Sequence, residues 1–323
     1  MTTRRQLLSL SGAALAASVL PRFARAQQWP SKTIRAIVPF GPGSTIDVIG
    51  RIVADPLSAA LGQPIVVENR GGAGGSIGSA AVVNAPPDGY TLLIHASAHS
   101  AAPAAYPNAP YDAGRDLRGV AVFGSVPTVT VISPEKGIRT LKELVERARK
   151  GSFTFASAGI GSATHWAAER LRLAAGFKAV HVPFKGGPPA LTEVAAGRVD
   201  FMCIGITSGM PFMRSGRLIP LAVSTLERSS ALPDVPTTTE AGYPGSDYIF
   251  WNGMLVHAKT PAAIVSRLHE ETMKVLRQPA VADRLKSQGL EPMPLPPARF
   301  DALIAGEIER NKAIVKAAGL KFN

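Results

Sequence analysis

Residues 34–51, IRAIVPFGPGSTIDVIGR, set three structural conditions in one short stretch. Ile34 to Phe40 is an apolar, β-branched run that reads as a buried strand, and Gly41-Pro42-Gly43 breaks it. Ser44 and Thr45 are cap-type hydroxyl residues, after which Ile46, Ile49 and Val53 recur at helical spacing. A strand that ends in a glycine turn and enters a helix leaves the first helical N–H groups unpaired at one point. The positive end of the helix dipole lies there too, so such a turn suits a carboxylate or another anion. An ordinary βα connection of an α/β fold has the same pattern. This unit alone does not choose between scaffold and site.

The rest of the chain repeats the alternation. A helix from about Thr45 to Leu61, in which Pro56 invites a kink, leads to the strand PIVVE and the glycine-rich loop NRGGAGGSIG. A small-residue helix then ends near Asn84, and YTLLIH is the third strand. Ala96–Pro110, rich in Ala and Pro, reads as irregular. Two strand-like pieces, VAVFGS and TVTVIS, flank Pro127, and the chain crosses into a second α/β lobe near Val126. There follow a helix at Leu141–Lys150, the strand FTFA, a helix to about Ala175, and a strand at Val180–Pro183. Lys185 to Pro189 is a turn, Ala190–Ala196 a helix, and Asp200–Ile206 and Leu218–Ser224 are strands. Phe250–His257 reads as a return strand. A helix opened by Thr260-Pro261, one at Val281–Gln288 and one from Pro297 to about Ala318 complete the chain. Strands alternating with helices predict an α/β fold with mixed, mostly parallel sheets.

Composition narrows the function classes. The 323 residues suffice for two domains with sizeable cores, and 46% hydrophobic with 18% charged residues is a globular balance. The single cysteine, Cys203, excludes an intrachain disulfide and a cysteine-based metal site. Arg4-Arg5, the uncharged stretch Gln6 to Leu20 and Ala24-Arg25-Ala26 together read as an export signal over residues 1–26, of Tat or Sec type. No later run reaches the roughly 18 apolar residues of a membrane span. Net charge is +12, and removing residues 1–26 with their four arginines leaves +8. The Lys and Arg residues are scattered without aromatic interleaving, so nucleic acid is not the expected partner. The charge reads as a solvated surface that draws in anions.

Phe153–His165, FTFASAGIGSATH, repeats the logic of residues 34–51: strand, glycine turn, hydroxyls, helix start. Two lobes carrying such turns at the carboxyl ends of their strands can grip one anion from both sides. Six segments then occur in an order shared with a known family: VPFGPGSTID, GQPIVVENRGGAGGSIGSAAV, PPDGYTLL, FTFASAGIGSATH, HVPFKGGPPALTEVAAGRVDFM and LAVSTLERSSALPDVPTTTEAG. Over essentially all of residues 27–323 the chain resembles the Bug-type periplasmic solute-binding receptors of tripartite tricarboxylate transporters.

The resemblance implies a two-lobed, type II-like periplasmic-binding-protein fold with a ligand cleft between the lobes, no catalysis and no cofactor. Lobe 1 would be residues 27–125 and 250–323, and lobe 2 residues 126–249. The ligand would be a small carboxylate: a di- or tricarboxylate, an aromatic acid or an amino acid. The partners would be the membrane subunits of a tripartite transporter or a membrane sensor, met in the periplasm by a monomer. Carried over by matching segment, the first-lobe contacts would be Phe40, Gly41, Pro42, Gly43, Ser44, Thr45 and Asp47, with Ser97. The second-lobe contacts would be Ser157, Ala158, Gly159, Gly161, Ser162, His165, Lys185, Gly186 and the segment of Cys203, Ile204, Gly205 and Ile206. The family usually reads close to PFPPGGGTD where this chain has PFGPGSTID, and it follows the strand start at Asp200 with a different continuation from DFMCIGITSG. Both departures fall on segments expected to face the ligand.

Other motifs have competing readings. Asp47 could bind a ligand amine or order a water, or it could simply place negative charge at a helix N-terminus. Gly74-Gly75-Ser76-Ile77-Gly78 matches the G-x-S-x-G nucleophile elbow, which makes an exported serine esterase the alternative function. That motif needs a strand ending directly at the turn, and PIVVE ends several residues earlier; His257 is the one base to propose, without an acid to pair it. The near match to G-x-G-x-x-G lacks its third glycine, at Ile77, and there is no Walker A lysine. His95 and His99 are four apart, a metal-like spacing on a helix, but a loop is expected there and zinc is not. His165 would donate to a ligand or cap its helix, and Cys203 reads as a small buried hydrophobe before a reactive thiol.

Overall fold

The computed structural model describes residues 29–318, so the export signal expected over residues 1–26 lies outside the described residues. Among the described residues, those from Lys32 onward form one compact unit. Its elements run β1 (Ile34–Val38), α1 (Thr45–Leu61), β2 (Ile65–Asn69), α2 (Ser76–Val83), β3 (Thr91–Ala96), α3 (Ala98–Ala105) and β4 (Leu117–Ser125). Next come β5 (Thr128–Ile132), α4 (Leu141–Lys150), β6 (Thr154–Ser157), α5 (Ala163–Ala175), β7 (Val180–Pro183), α6 (Gly187–Ala195), β8 (Phe201–Gly205), α7 (Ile206–Arg214) and β9 (Ile219–Val223). The chain closes with β10 (Trp251–His257), α8 (Ala262–Leu276), α9 (Pro279–Ser287) and α10 (Pro297–Ala318).

Two five-stranded sheets result, ordered β2-β1-β3-β10-β4 and β7-β6-β8-β5-β9. The parallel pairs are β1 with β2 and β3, and β6 with β7 and β8. Strand β10 runs antiparallel to both β3 and β4, and β5 does the same between β8 and β9. The chain leaves the first sheet at Ser125 and re-enters it at Trp251, and these two residues pair in register. Val126 N–H donates to the Phe250 carbonyl at 3.0 Å, so the two strands that pass between sheets lie side by side. Ser125 also exchanges both backbone bonds with Glu291, which adds a third segment to the crossing.

The inner strands are almost wholly buried, as sheets covered by helices require, while the edge strands β2 and β7 are half-exposed. In the first sheet Trp251 stands edge-on to Phe300 with centroids 4.9 Å apart, and its indole N–H donates to the Glu307 carboxylate at 2.8 Å. Burial pushes the Glu307 carboxyl above its usual range despite that bond. The ring of Phe300 fits because Gly119 and Gly253 leave room on adjacent strands. A Cβ on Gly119 would overlap the ring, and one on Gly253 would lie 2.7 Å from the Ala121 carbonyl.

Several expected elements differ. Ala96–Pro110 is not irregular throughout: α3 covers Ala98–Ala105, because Ala98, Ala101, Ala102 and Ala105 are buried and α3 packs against α10. His99 therefore lies on a helix and His95 on the preceding strand. Helix α7 follows β8 directly and was not expected, since Gly209 and Pro211 obscure the period of ITSGMPFMR. Helix α6 begins at Gly187, with Pro188 and Pro189 in its first turn, where a missing N–H costs nothing. Pro56 leaves α1 continuous, and α8 has Pro261 at its N-cap with no side-chain cap from Thr260.

Gly119→Ala is expected to destabilise the protein by about 1–3 kcal/mol, since the Phe300 ring has nowhere to retreat. Gly151→Ala, whose nearest neighbour would be 3.6 Å away, should leave the melting temperature almost unchanged. Thermal unfolding of the two variants side by side checks this.

Candidate functional site

The turn after β1 is held from behind. Gly43 has φ +76°, and its N–H donates to Asp47 Oδ2 at 2.9 Å. Asp47 Oδ1 accepts from Arg51 Nε at 2.9 Å and from Asn69 Nδ2 at 2.8 Å. Asn69 Nδ2 also donates to the Phe40 carbonyl at 2.9 Å, tying the end of β2 to the turn. Asp47 is thus occupied by the protein itself and does not face the cleft. Ser44 takes the N-cap position of α1 in extended geometry, yet its side chain caps nothing. Its Oγ is buried and has no hydrogen-bond partner.

The second turn uses the same construction. Gly161 has φ +72°, and its N–H donates at 3.1 Å to Nδ1 of His165, again four residues on. Ser162 is the N-cap of α5 in extended geometry, and here the hydroxyl does cap, accepting the His165 N–H at 3.3 Å. Ser162 Oγ and Thr164 Oγ1 are 2.9 Å apart, and Thr164 Oγ1 accepts the Ala158 N–H at 2.8 Å. Ser157 Oγ sits behind the turn, bonded to both the amide and the carbonyl of Gly159 and to His181 Nε2 at 2.6 Å. His165 stacks on His181 with centroids 3.9 Å apart, and both rings lie against Phe155. Burial, then the neighbouring charge of His181, lowers His165 to about 3, and burial lowers His181 to about 4. Both imidazoles are neutral at pH 7, and His165 supports its turn from the protein side.

Two chambers lie between the turns. The inner one has about 30 Å³ of room, enough for about two water-sized groups. Ser44, Thr45, Ser162, Thr164 and Ser208 line it with hydroxyls, and Phe40, Ala96, Ala98, Ala158, Ile204 and Phe250 with apolar groups. The outer one has about 580 Å³ and is bounded by Phe40, Gly41, the loop Gly71–Gly74, Tyr106, Ala158–Ile160 and Pro183–Gly186. Among the described residues, Lys185 is the one charged side chain lining either chamber. Direct bonds cross between the two sheets here. Ser208 Oγ donates to the Gly43 carbonyl at 3.2 Å and lies 3.1 Å from Thr45 Oγ1, and Tyr106 OH donates to the Ile160 carbonyl at 2.9 Å.

Of the residues expected from the sequence, Phe40, Gly41, Ser44, Thr45, Ala158, Gly159, Ser162, Lys185, Gly186 and Ile204 line these chambers. Gly43, Asp47, Ser157, Gly161 and His165 shape the turns instead. Gly205 sits where the lobes touch, because a Cβ there would be 2.5 Å from Thr45 Oγ1. Pro42 is exposed and lines neither chamber. Ser97 is turned away, its Oγ 2.9 Å from Tyr248 OH. Cys203 is buried in the second sheet against Thr130 Oγ1 at 3.4 Å, and burial pushes its thiol up to about 12. Thr164, Ser208, Tyr106 and Phe250 were missed. The run of glycines at 71–75 was the available signal for the outer wall.

The chain matches the tripartite tricarboxylate transporter family receptor (TctC) profile over residues 49–320. It belongs to that receptor family. The structure of the periplasmic binding protein BugD has a TM-score of 0.86 and 32% identity to it, covering 91% of this chain and 99% of the other. MatC from Rhodopseudomonas palustris with bound malate has a TM-score of 0.84 and 32% identity, covering 89% of this chain and 100% of the other. The R. palustris protein Rpa4515 with adipate has a TM-score of 0.86 and 30% identity, covering 91% and 99%. The expected two-lobed α/β periplasmic-binding-protein fold is therefore the fold of this receptor.

The remaining motifs gain nothing in the receptor. Ser76 opens α2 behind a short 3₁₀ turn, Ala73–Gly75, well past the end of β2, and its hydroxyl is buried near Tyr111. His257 lies at the end of β10 remote from the cleft, where its Nδ1 accepts the Lys259 N–H at 3.0 Å. Among the described residues no group of three or more His, Cys, Asp or Glu side chains could hold a metal. Nor is any helix of the described residues long and apolar enough to cross a membrane.

Two outcomes follow from the way the turns are held. Asp47→Ala removes the acceptor of three hydrogen bonds, one of them from the charged Arg51. It should cost about 2 kcal/mol or more in urea unfolding. His165 and His181 bind protons near 6.5 when unfolded and only near 3 and 4 when folded, so the unfolded state holds more protons in between. Stability should therefore be full above pH 6.5 and decline as pH falls toward 4. A pH series of melting temperatures, with His181→Gln giving a shallower decline, tests the assignment.

Proposed function

We propose that this receptor captures a small carboxylate outside the cytoplasm and delivers it to the membrane subunits of a tripartite transporter. The observation that carries the reading is the inner chamber. The partnerless Ser44 hydroxyl at the start of α1 faces the Ser162–Thr164 pair at the start of α5 across a space sized for two oxygens. The first N–H groups of both helices open onto the same place, where a carboxylate gains charge-assisted hydrogen bonds and two favourable dipole ends. A longer ligand would extend into the outer chamber past Phe40 and Ala158, which line both spaces. Relatives holding malate and adipate support the same ligand class. Residues 1–26 supply the export signal in this reading, by a Tat or Sec route, and the strand crossings at residues 125–126 and 250–251 form the hinge.

Isothermal titration against malate, succinate, adipate, citrate and benzoate is the direct test. At least one should bind. Ser44→Ala should weaken that ligand by about 10- to 100-fold, as expected for one hydrogen bond to a charged group. A panel in which no carboxylate produces heat or raises the melting temperature would overturn the reading.

A further inference from the structure

Helix α9 ends by handing one carbonyl to a distant part of the chain. Leu290 N–H donates to the Leu285 carbonyl at 3.0 Å, and Gly289 N–H to the Lys286 carbonyl at 2.9 Å, with Gly289 at φ +75°. This pair of bonds closes the helix and leaves the carbonyl of its cap residue, Gln288, open to another donor. Thr207 Oγ1 is that donor, at 2.6 Å. Thr207 is buried on the first turn of α7 and lines neither chamber. Its bond lies outside the cleft and is additional to those of Ser208 and Tyr106.

The residues on either side of Thr207 reach across as well. Ile206 lies against Gly289, where a Cβ would be 3.0 Å from Ile206 Cγ2. Ser208 donates to the Gly43 carbonyl and meets Thr45 Oγ1. The first turn of α7 is thus held by the end of α9 and by the turn before α1. The end of α9 is in turn fastened to the first sheet. Glu291 and Ser125 exchange backbone bonds at 2.8 and 2.9 Å. Leu290 packs where Gly124 has no side chain, since a Cβ there would be 2.7 Å from Leu290 Cγ. Turning the second lobe about the crossings at residues 125–126 and 250–251 carries α7 away from Gln288, which stays with the first sheet. Water replaces both partners in an open cleft, so the Thr207 bond favours the closed one.

We propose that Thr207 is a positioning residue for the closed cleft. It touches no solute. By holding the first turn of α7, and with it Ser208, against the first lobe, it sets the fraction of the ligand-free receptor that is closed. The larger that fraction, the less of a solute's binding free energy goes into closing the lobes. This rests on the hinge of the proposed function and not on which solute binds.

The test is small-angle scattering of the ligand-free protein, fitted as closed and open populations, for wild type, Thr207→Val, Thr207→Ala and Thr207→Ser. Removing the hydroxyl should lower the closed-to-open ratio about 5-fold, as expected for one hydrogen bond. Thr207→Val and Thr207→Ala should agree, because they differ in bulk and share the loss, and Thr207→Ser should match wild type. Superimposable far-UV circular dichroism separates opening from unfolding, and Thr207→Ala carries the comparison if the valine variant does not fold. Scattering of the hydroxyl-free variants equal to wild type overturns the proposal, and so does a serine variant that scatters like them. With no solute present, that result leaves the carboxylate reading standing, and a silent carboxylate panel leaves this proposal standing.

Discussion

The bond from a left-handed glycine to the side chain four residues ahead is what both turns rest on. Gly43 gives its N–H to Asp47 and Gly161 gives its N–H to His165, each at the third residue of the helix that follows. With the amide held from behind, the intervening serine stays extended and the helix starts at a fixed place and angle. The dipole ends and leading N–H groups then point into the cleft without any loop motion to arrest, which is the preorganisation a binding site needs. The two versions differ in charge. An anionic buttress serves the first turn and a neutral imidazole the second, so the second dipole end faces the chamber uncompensated. This asymmetry is matched by the hydroxyls, since Ser162 caps its helix and Ser44 does not.

Strands and glycine turns were readable because they depend on local pattern: an apolar β-branched run, a breaker, then helical spacing. So were α4 and α10, whose ends match the expected residues. Elements built on burial were not. Helix α3 contains a proline and alanines that satisfy no helical template until α10 is laid across them, and α7 is disguised by Gly209 and Pro211. The family resemblance pointed to segments that line the two chambers but could not say which side chains turn inward. Asp47 is drawn away from the cleft by Asn69, at the far end of another strand, and His165 by the stack with His181. Cys203 and Ile204 are adjacent on one strand, so the pleat alone puts one in the sheet and the other at the chamber. Ser208 lay within a segment flagged as departing from the family, yet only the helix that follows β8 brings it to Gly43.

Side chains of each lobe bond directly to the other. Ser208 reaches the Gly43 carbonyl and Thr45, Tyr106 reaches the Ile160 carbonyl, and Gly205 is bare of a side chain where Thr45 approaches. These bonds favour closure whatever occupies the chamber. The inner chamber is lined by residues of both lobes, and it borders the outer chamber at Phe40 and Ala158. Opening the lobes therefore requires three hydroxyl bonds to break. Those bonds act as a clock on opening.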